Sequence, residues 1–193
     1  MKVIGITGGV GAGKSKVLHF LEAEYGAVVC QLDHVAFMLQ RKGQPCFDEI
    51  VKEFGEEVRR PDGELDRQKL AEVVFGDQQR LGRLNAIVHP LVKEWVRRDI
   101  IEKEKEHIPL YVIEAALLPE AGYEDICGEI WYIYASEDAR RKRLKSSRGY
   151  SDERISRMIE SQSPDEGFRK VCQAVIDNSG PFEYTKKQIG EIL

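Results

Sequence analysis

No stretch of this chain approaches the roughly 20 consecutive apolar residues that a membrane-spanning helix requires. Met1 leads directly into a strand-like segment without the pattern of a secretory signal, so the protein is expected to stay in the cytoplasm. The four cysteines, Cys30, Cys46, Cys127 and Cys172, form no C-x-x-C pair, and no histidine stands at metal-ligand spacing from them. A zinc site is therefore not expected, and the thiols should be reduced and mostly buried. Positive charge is not in excess: the net charge is -4, which argues against a broad electrostatic footprint for nucleic acid. Internal repeats are absent. What remains, in 193 residues with 42% hydrophobic and 32% charged side chains, is an ordinary globular composition, enough for one domain with an insertion and a core that needs no staples.

The apolar runs are short and punctuated. Val3-Ile4-Gly5-Ile6-Thr7 ends in glycines and reads as a buried parallel strand. From Lys14 to Glu24 the apolar residues Val17, Leu18 and Leu21 recur at helical spacing, with Gly26 placed for the turn back to the sheet. Further strands are expected at Ala27–Leu32, Leu110–Ile113, Ile130–Tyr134 and Ala174–Ile176, separated by helical segments, so the sheet should be parallel with right-handed crossovers. Helical spacing also runs through Leu70, Val73 and Val74, and then through Leu84, Ile87, Val88, Leu91, Val92, Trp95 and Val96. That places a helical insertion between the second and third strands. His89-Pro90 interrupts its longest helical pattern, with Pro90 suited to the first position of a new helix. Glu102 to Glu106 alternate in sign and read as a solvated face. Ser136, Ser151 and Ser163-Pro164 each precede two acidic residues and mark late helix starts.

The densest chemical signal is Gly8-Gly9-Val10-Gly11-Ala12-Gly13-Lys14-Ser15 between the first strand and the first helix. Glycines let the backbone approach a polyphosphate closely, and the amides and dipole of the following helix favour anions. In such a loop Lys14 reaches the β- and γ-phosphates and Ser15 ligates magnesium. Its four fixed positions match by chance at a given site in roughly one case in 30,000, and the strand and helix around it are both present. ATP and magnesium are the implied cofactors.

Other candidates lie at strand ends, where open α/β sheets bind ligands. Asp33 ends the second strand and could accept a proton from a substrate hydroxyl or hold magnesium through water; its structural alternative is a helix N-cap. Eight basic residues crowd between Arg140 and Arg157. Of these, Arg143 and Arg148 are the candidates to stabilise a transferring phosphoryl group, while Arg140, Arg141, Lys142 and Lys145 are expected to be solvated. Gln162 carries little signal by itself. Leu117-Leu118-Pro119-Glu120 follows the third strand, and Asp177-Asn178-Ser179-Gly180 follows the fifth, where Asn178 could meet the adenine.

In sequence order these pieces resemble dephospho-coenzyme A kinase. The resemblance rests on the glycine loop, Phe75-Gly76-Asp77, Leu84 to Pro90, Glu114 to Glu120, Arg143-Leu144 with Arg148, and Val175 to Gly180. It implies transfer of the γ-phosphoryl group of ATP to the ribose 3′-hydroxyl of dephospho-coenzyme A, the last step of coenzyme A synthesis. The implied fold is an α/β P-loop sandwich around a five-stranded parallel sheet. Its core would span about 1–59, 107–135 and 165–193, its coenzyme A-binding helical insertion about 60–106, and its mobile lid about 136–164. Asp33 matches the family's proposed base, Arg143 and Arg148 fall in the lid, and His89, Pro90, Leu117 and Glu120 would line the acceptor site. Two places depart from the pattern. Where the family usually reads Asp-x-Asp with an Arg four residues on, this chain has Gln31, Asp33 and Phe37, so rearranged acceptor contacts are expected. The competing readings are a kinase for a nucleoside or sugar acid and a non-catalytic ATP-binding paralogue. A GTPase is disfavoured by the lack of an Asn-Lys-x-Asp motif.

Overall fold

The computed structural model describes residues 1–116, 118 and 122–193. Five strands run parallel in the order β2-β3-β1-β4-β5: β1 Lys2–Thr7, β2 Val28–Gln31, β3 Leu110–Glu114, β4 Glu129–Tyr134 and β5 Ala174–Asp177. The central strand β1 is paired on both sides, with Ile6 opposite Glu114 on β3 and opposite Trp131 on β4. That placement explains its uninterrupted apolar character, because a strand covered on both faces has no solvent side to make polar. The chain divides into two compact units, Met1–Val29 with Glu104–Leu193, and Cys30–Lys103.

In the first unit the core gathers Ile4 and Ile6 of β1, Val112 of β3, Trp131 and Ile133 of β4, and Val17, Leu18 and Leu21 of helix α1 (Lys14–Tyr25). Full burial of each aliphatic side chain contributes about 1.5–3 kcal/mol. Helix α1 ends where expected: Gly26 takes the left-handed conformation (φ 60°) and donates its N–H to Leu21 O, closing the last turn. The late helices are α6 (Glu137–Arg148), α7 (Asp152–Glu160), α8 (Asp165–Val171) and α9 (Phe182–Ile192). The Ser136 hydroxyl accepts from Ala139 N and the Ser151 hydroxyl from Arg154 N, so both anticipated caps form. The third start differs: Pro164 is the cap residue of α8 and offers no side-chain bond. α8 is tied to the sheet by other means. Tyr132 donates its hydroxyl to Asp165 and stacks on Phe168 at 4.8 Å between ring centroids.

The second unit holds α2 (Leu32–Leu39), α3 (Pro45–Phe54), a 3-10 turn at Glu56–Val58, α4 (Arg67–Val74) and most of α5 (Gln78–Lys105). The 60–106 segment falls within it apart from its last three residues. Not anticipated from the sequence is α3, although its signals are present: Pro45 in the first turn, and buried Cys46, Phe47, Ile50 and Phe54 on one face. Helix α5 corrects a second expectation, because it runs unbroken through His89-Pro90 instead of restarting at Pro90. Proline removes one backbone donor and crowds the carbonyl four residues earlier. Val88, Val92 and Val96 are buried at successive turns around it, and their burial holds the two halves in one helix.

Candidate active site

The glycine loop is built to be close to its surroundings. A Cβ on Gly8 would lie 2.5 Å from the backbone oxygen of Ile133, and Gly13, the residue that caps α1, has φ +89° with the Asn178 amide nitrogen where its Cβ would be. Both positions exclude every other residue type, one by contact and one by conformation as well. With glycine as the cap, α1 has no side-chain cap bond. Its first-turn N–H groups and the positive end of its dipole are thus directed at whatever anion occupies the loop.

The loop opens on a cavity of about 470 Å³ whose lining includes Gly11, Lys14, Ser15, Glu114, Arg143 and Arg148. Lys14 donates from Nζ to Gly8 O at 2.8 Å, and the same atom lies 3.5 Å from Glu114 Oε1 at the end of β3. Both side chains are about six-sevenths covered, so the pair is far less screened than a surface one. Glu114 was not among the residues anticipated for the site. Its position at a strand's carboxyl end, beside the loop strand, is the signal that could have found it. Ser15, the second residue of α1, is exposed at the cavity wall. These donors fit a polyphosphate, and a hydroxyl beside them fits a magnesium ligand.

Arg143 reaches from α6 to the loop, donating from Nη1 to Ala12 O at 3.1 Å and from Nη2 to Asn178 O at 2.5 Å. Arg148, the last residue of α6, lines the cavity with its side chain exposed. Asn178 is buried; its amide donates to Ala12 O at 2.7 Å and accepts from the Thr185 hydroxyl at 2.9 Å. Its side chain therefore holds the loop from behind.

Arg140 corrects the expectation that it is solvated. Its Nε donates to Val10 O at 2.8 Å and its Nη2 to Gln162 Oε1, while the same Gln162 oxygen accepts from Val10 N at 3.2 Å. Burial is the main reason its pKa falls below the ordinary guanidinium value. On a helix with ten polar residues among its twelve, spacing could not single out an arginine that folds inward. Arg141 is likewise half-buried, pairing with Glu137 at 2.7 Å and donating to Ser156 Oγ at 3.0 Å. Lys142 and Lys145 are exposed as expected, Lys145 pairing with Asp152 at 2.7 Å.

In the second unit Asp33 lies exposed in the first turn of α2, whose cap residue is Gln31. The N-cap reading of Asp33 is thus set aside, and its carboxylate is not consumed by a cap bond. His89 and Pro90 are exposed on α5. Leu117 and Glu120 lie outside the described residues.

A parallel sheet with a glycine loop feeding a helix, a loop lysine and a basic helix, α6, that reaches back to the loop defines a P-loop kinase. Residues 2–183 match the family model described as Dephospho-CoA kinase. The chain is 36% identical over 193 residues to a dephospho-CoA kinase of Carboxydothermus hydrogenoformans, covering 100% of this chain and 93% of that one. It is 38% identical over 190 residues to a dephospho-CoA kinase of Symbiobacterium thermophilum, covering 98% and 79%. The crystal structure of TT1252 from Thermus thermophilus superposes with a TM-score of 0.78 at 32% identity, covering 100% and 98%. The chain belongs to the dephospho-CoA kinase family, the ATP-using kinases of the last step of coenzyme A synthesis. The nucleoside, sugar-acid and paralogue readings are not favoured by these relatives.

Proposed function

We propose that this kinase transfers the γ-phosphoryl group of ATP to the ribose 3′-hydroxyl of dephospho-coenzyme A with Asp33 as the acceptor-side carboxylate and magnesium held by Ser15. The reading is carried by an intact loop lysine, held between Gly8 O and Glu114, in a chain that also keeps, on α2, a first-turn aspartate free of any cap bond. Lys14 and the loop amides hold the β- and γ-phosphates. Asp33 orients the acceptor hydroxyl and takes its proton as the new O–P bond forms and ADP leaves. Arg148, exposed at the cavity wall, and Arg143, which donates to the Ala12 and Asn178 carbonyls, supply positive charge to the transferring group. Magnesium, when bound, neutralises charge on the phosphate oxygens. Helices α6 and α7, over about 136–164, act as a lid that excludes water. The segment about 60–106, with His89, Pro90, Leu117 and Glu120, serves the acceptor, and Asn178 serves the nucleotide by holding its loop. The enzyme works in the cytoplasm and has no nucleic-acid or membrane partner; among the described residues no helix is long and apolar enough to cross a bilayer.

The test is product formation by purified protein with ATP and magnesium, comparing dephospho-coenzyme A with nucleosides and sugar acids. Selective conversion of dephospho-coenzyme A, lost in Asp33→Asn by about 100-fold or more in kcat, is the expected result. Conversion of another acceptor at a higher kcat/KM would overturn the substrate assignment, and full activity of Asp33→Asn would overturn the role of that carboxylate.

A further inference from the structure

Phe37, an aromatic residue 42% exposed on α2, is covered by cations. The Arg67 guanidinium lies 3.6 Å from its ring centroid and that of Arg41 lies 5.6 Å away. Arg67 also donates from Nη2 to the Phe37 carbonyl at 3.1 Å, so it is fixed to this residue at both backbone and ring. The group borders a cavity of about 770 Å³ within the second unit, where Arg41, Lys42, Arg60 and Arg67 face only two carboxylates, Glu64 and Asp66.

Those carboxylates are already engaged. Glu64 Oε2 accepts from the backbone N of Lys42 at 3.1 Å, and Asp66 Oδ1 caps α4 by accepting from Lys69 N. Arg60 is paired with Asp62 at 3.0 Å. Among the described residues no carboxylate lies within ion-pair distance of the side chains of Arg41, Lys42 or Arg67. Two guanidinium groups on one ring repel each other, and an aromatic face offsets only part of that cost. Burial first, then the like charge of Arg41, lowers the pKa of Arg67, against a smaller opposing effect of Glu64. A concave surface that carries four cations against two carboxylates is suited to a multiply charged oxyanion, which Arg binds by paired N–H donors.

Position on the helix narrows the ligand. Asp33 and Phe37 are four residues apart on α2, hence on one face and little more than one turn, about 6 Å along the axis, from each other. In the proposed acceptor the reacting 3′-hydroxyl and the 5′-linked diphosphate hang from the same ribose ring, so both must be met within about one such step. We propose that Arg67 and Arg41, ordered by the Phe37 ring, form the subsite for the diphosphate of dephospho-coenzyme A. This rests on the reading of Asp33 as the acceptor-side carboxylate. Phe37 thereby acts as a positioning residue, placing guanidinium groups brought from Arg41 and from α4.

Steady-state kinetics of Arg67→Gln, Arg41→Gln and Phe37→Leu test the assignment. Losing a charge-assisted hydrogen bond should raise KM for dephospho-coenzyme A at least about tenfold in Arg67→Gln and about fivefold in Arg41→Gln. KM for ATP should stay within about twofold of wild type in each. Phe37→Leu, which keeps bulk but removes the aromatic face, should follow Arg67→Gln in direction. A general structural defect would move both KM values and the melting temperature together. If Arg67→Gln does not fold, Arg41→Gln carries the test, since among the described residues the Arg41 side chain makes no hydrogen bond or ion pair and touches only the Phe37 ring. An active wild type with KM for dephospho-coenzyme A unchanged within twofold in the arginine variants would overturn the subsite while leaving the function standing. A wild type inactive on dephospho-coenzyme A would overturn the functional reading and the subsite with it.

Discussion

Lys14 and Arg140 show how differently two cations beside one loop can serve it. Lys14 lies against the cavity, so Lys14→Ala should abolish transfer, with kcat down at least about 100-fold and the melting temperature little changed, as read by coupled ADP release and thermal unfolding. Arg140 grips Val10 O and Gln162 from the other side, so Arg140→Ala should lower stability by about 1–3 kcal/mol by leaving the half-buried Gln162 and the loop carbonyl short of a donor. Arg148 makes the opposite case. Its exposed side chain predicts unchanged denaturant midpoints for Arg148→Ala together with reduced kcat. Equal loss of stability in Arg140→Ala and Arg148→Ala would show that the inward and outward placements are not distinguished in solution. Gly13→Ala should be worse than either for nucleotide binding, since the new Cβ meets both a left-handed backbone and the Asn178 amide. The αL conformation alone costs about 1–2 kcal/mol.

Helix α5 is continuous across Pro90 because buried valines on either side outweigh a lost backbone bond. Pro90→Ala restores a donor and removes the ring's clash, so unfolding free energy should rise by up to about 3 kcal/mol. If His89 and Pro90 shape the acceptor site, the same change should raise KM for dephospho-coenzyme A. A stabilised variant with unaltered KM would assign Pro90 no part in binding. The caps of α6 and α7 are smaller contributors. Ser136→Ala or Ser151→Ala should each cost about 1 kcal/mol, and both helices belong to the proposed lid, so a frayed start would also be read as slower turnover.

Two buried thiols, Cys46 and Cys127, and the half-buried Cys172 tie the stability of the molecule to alkaline pH. Burial pushes Cys127 up to about 12 and Cys46 and Cys172 up to about 11, with Glu124 and Asp125 adding to the effect at Cys127. An unfolded thiol ionises near about 8.5. Between about pH 9 and pH 11 the unfolded chain therefore binds fewer protons than the native one, and stability falls as pH rises through that window. Urea midpoints should decline from pH 8 to pH 10.5, and less steeply in Cys46→Ala than in wild type. The same scarcity of thiolate predicts that Cys46 and Cys127 react slowly with alkylating reagents at pH 8 unless urea is present.

The sequence by itself determined the parallel sheet, the glycine loop, the helix caps at Ser136 and Ser151, and the family, because these depend on local periodicity, on backbone angles open only to glycine, and on short motifs read in order. Each of those signals is carried by residues close together in the chain. Only the tertiary structure decided that Arg140 and Gln162 face the loop, that Glu114 pairs with Lys14, that α5 passes through Pro90, and that Arg67 comes to rest on Phe37. In every one of these the partner lies far along the chain, or the outcome turns on burial that outweighs a local preference. A side chain of one type reads the same in sequence whether folding turns it toward water or toward a distant carbonyl.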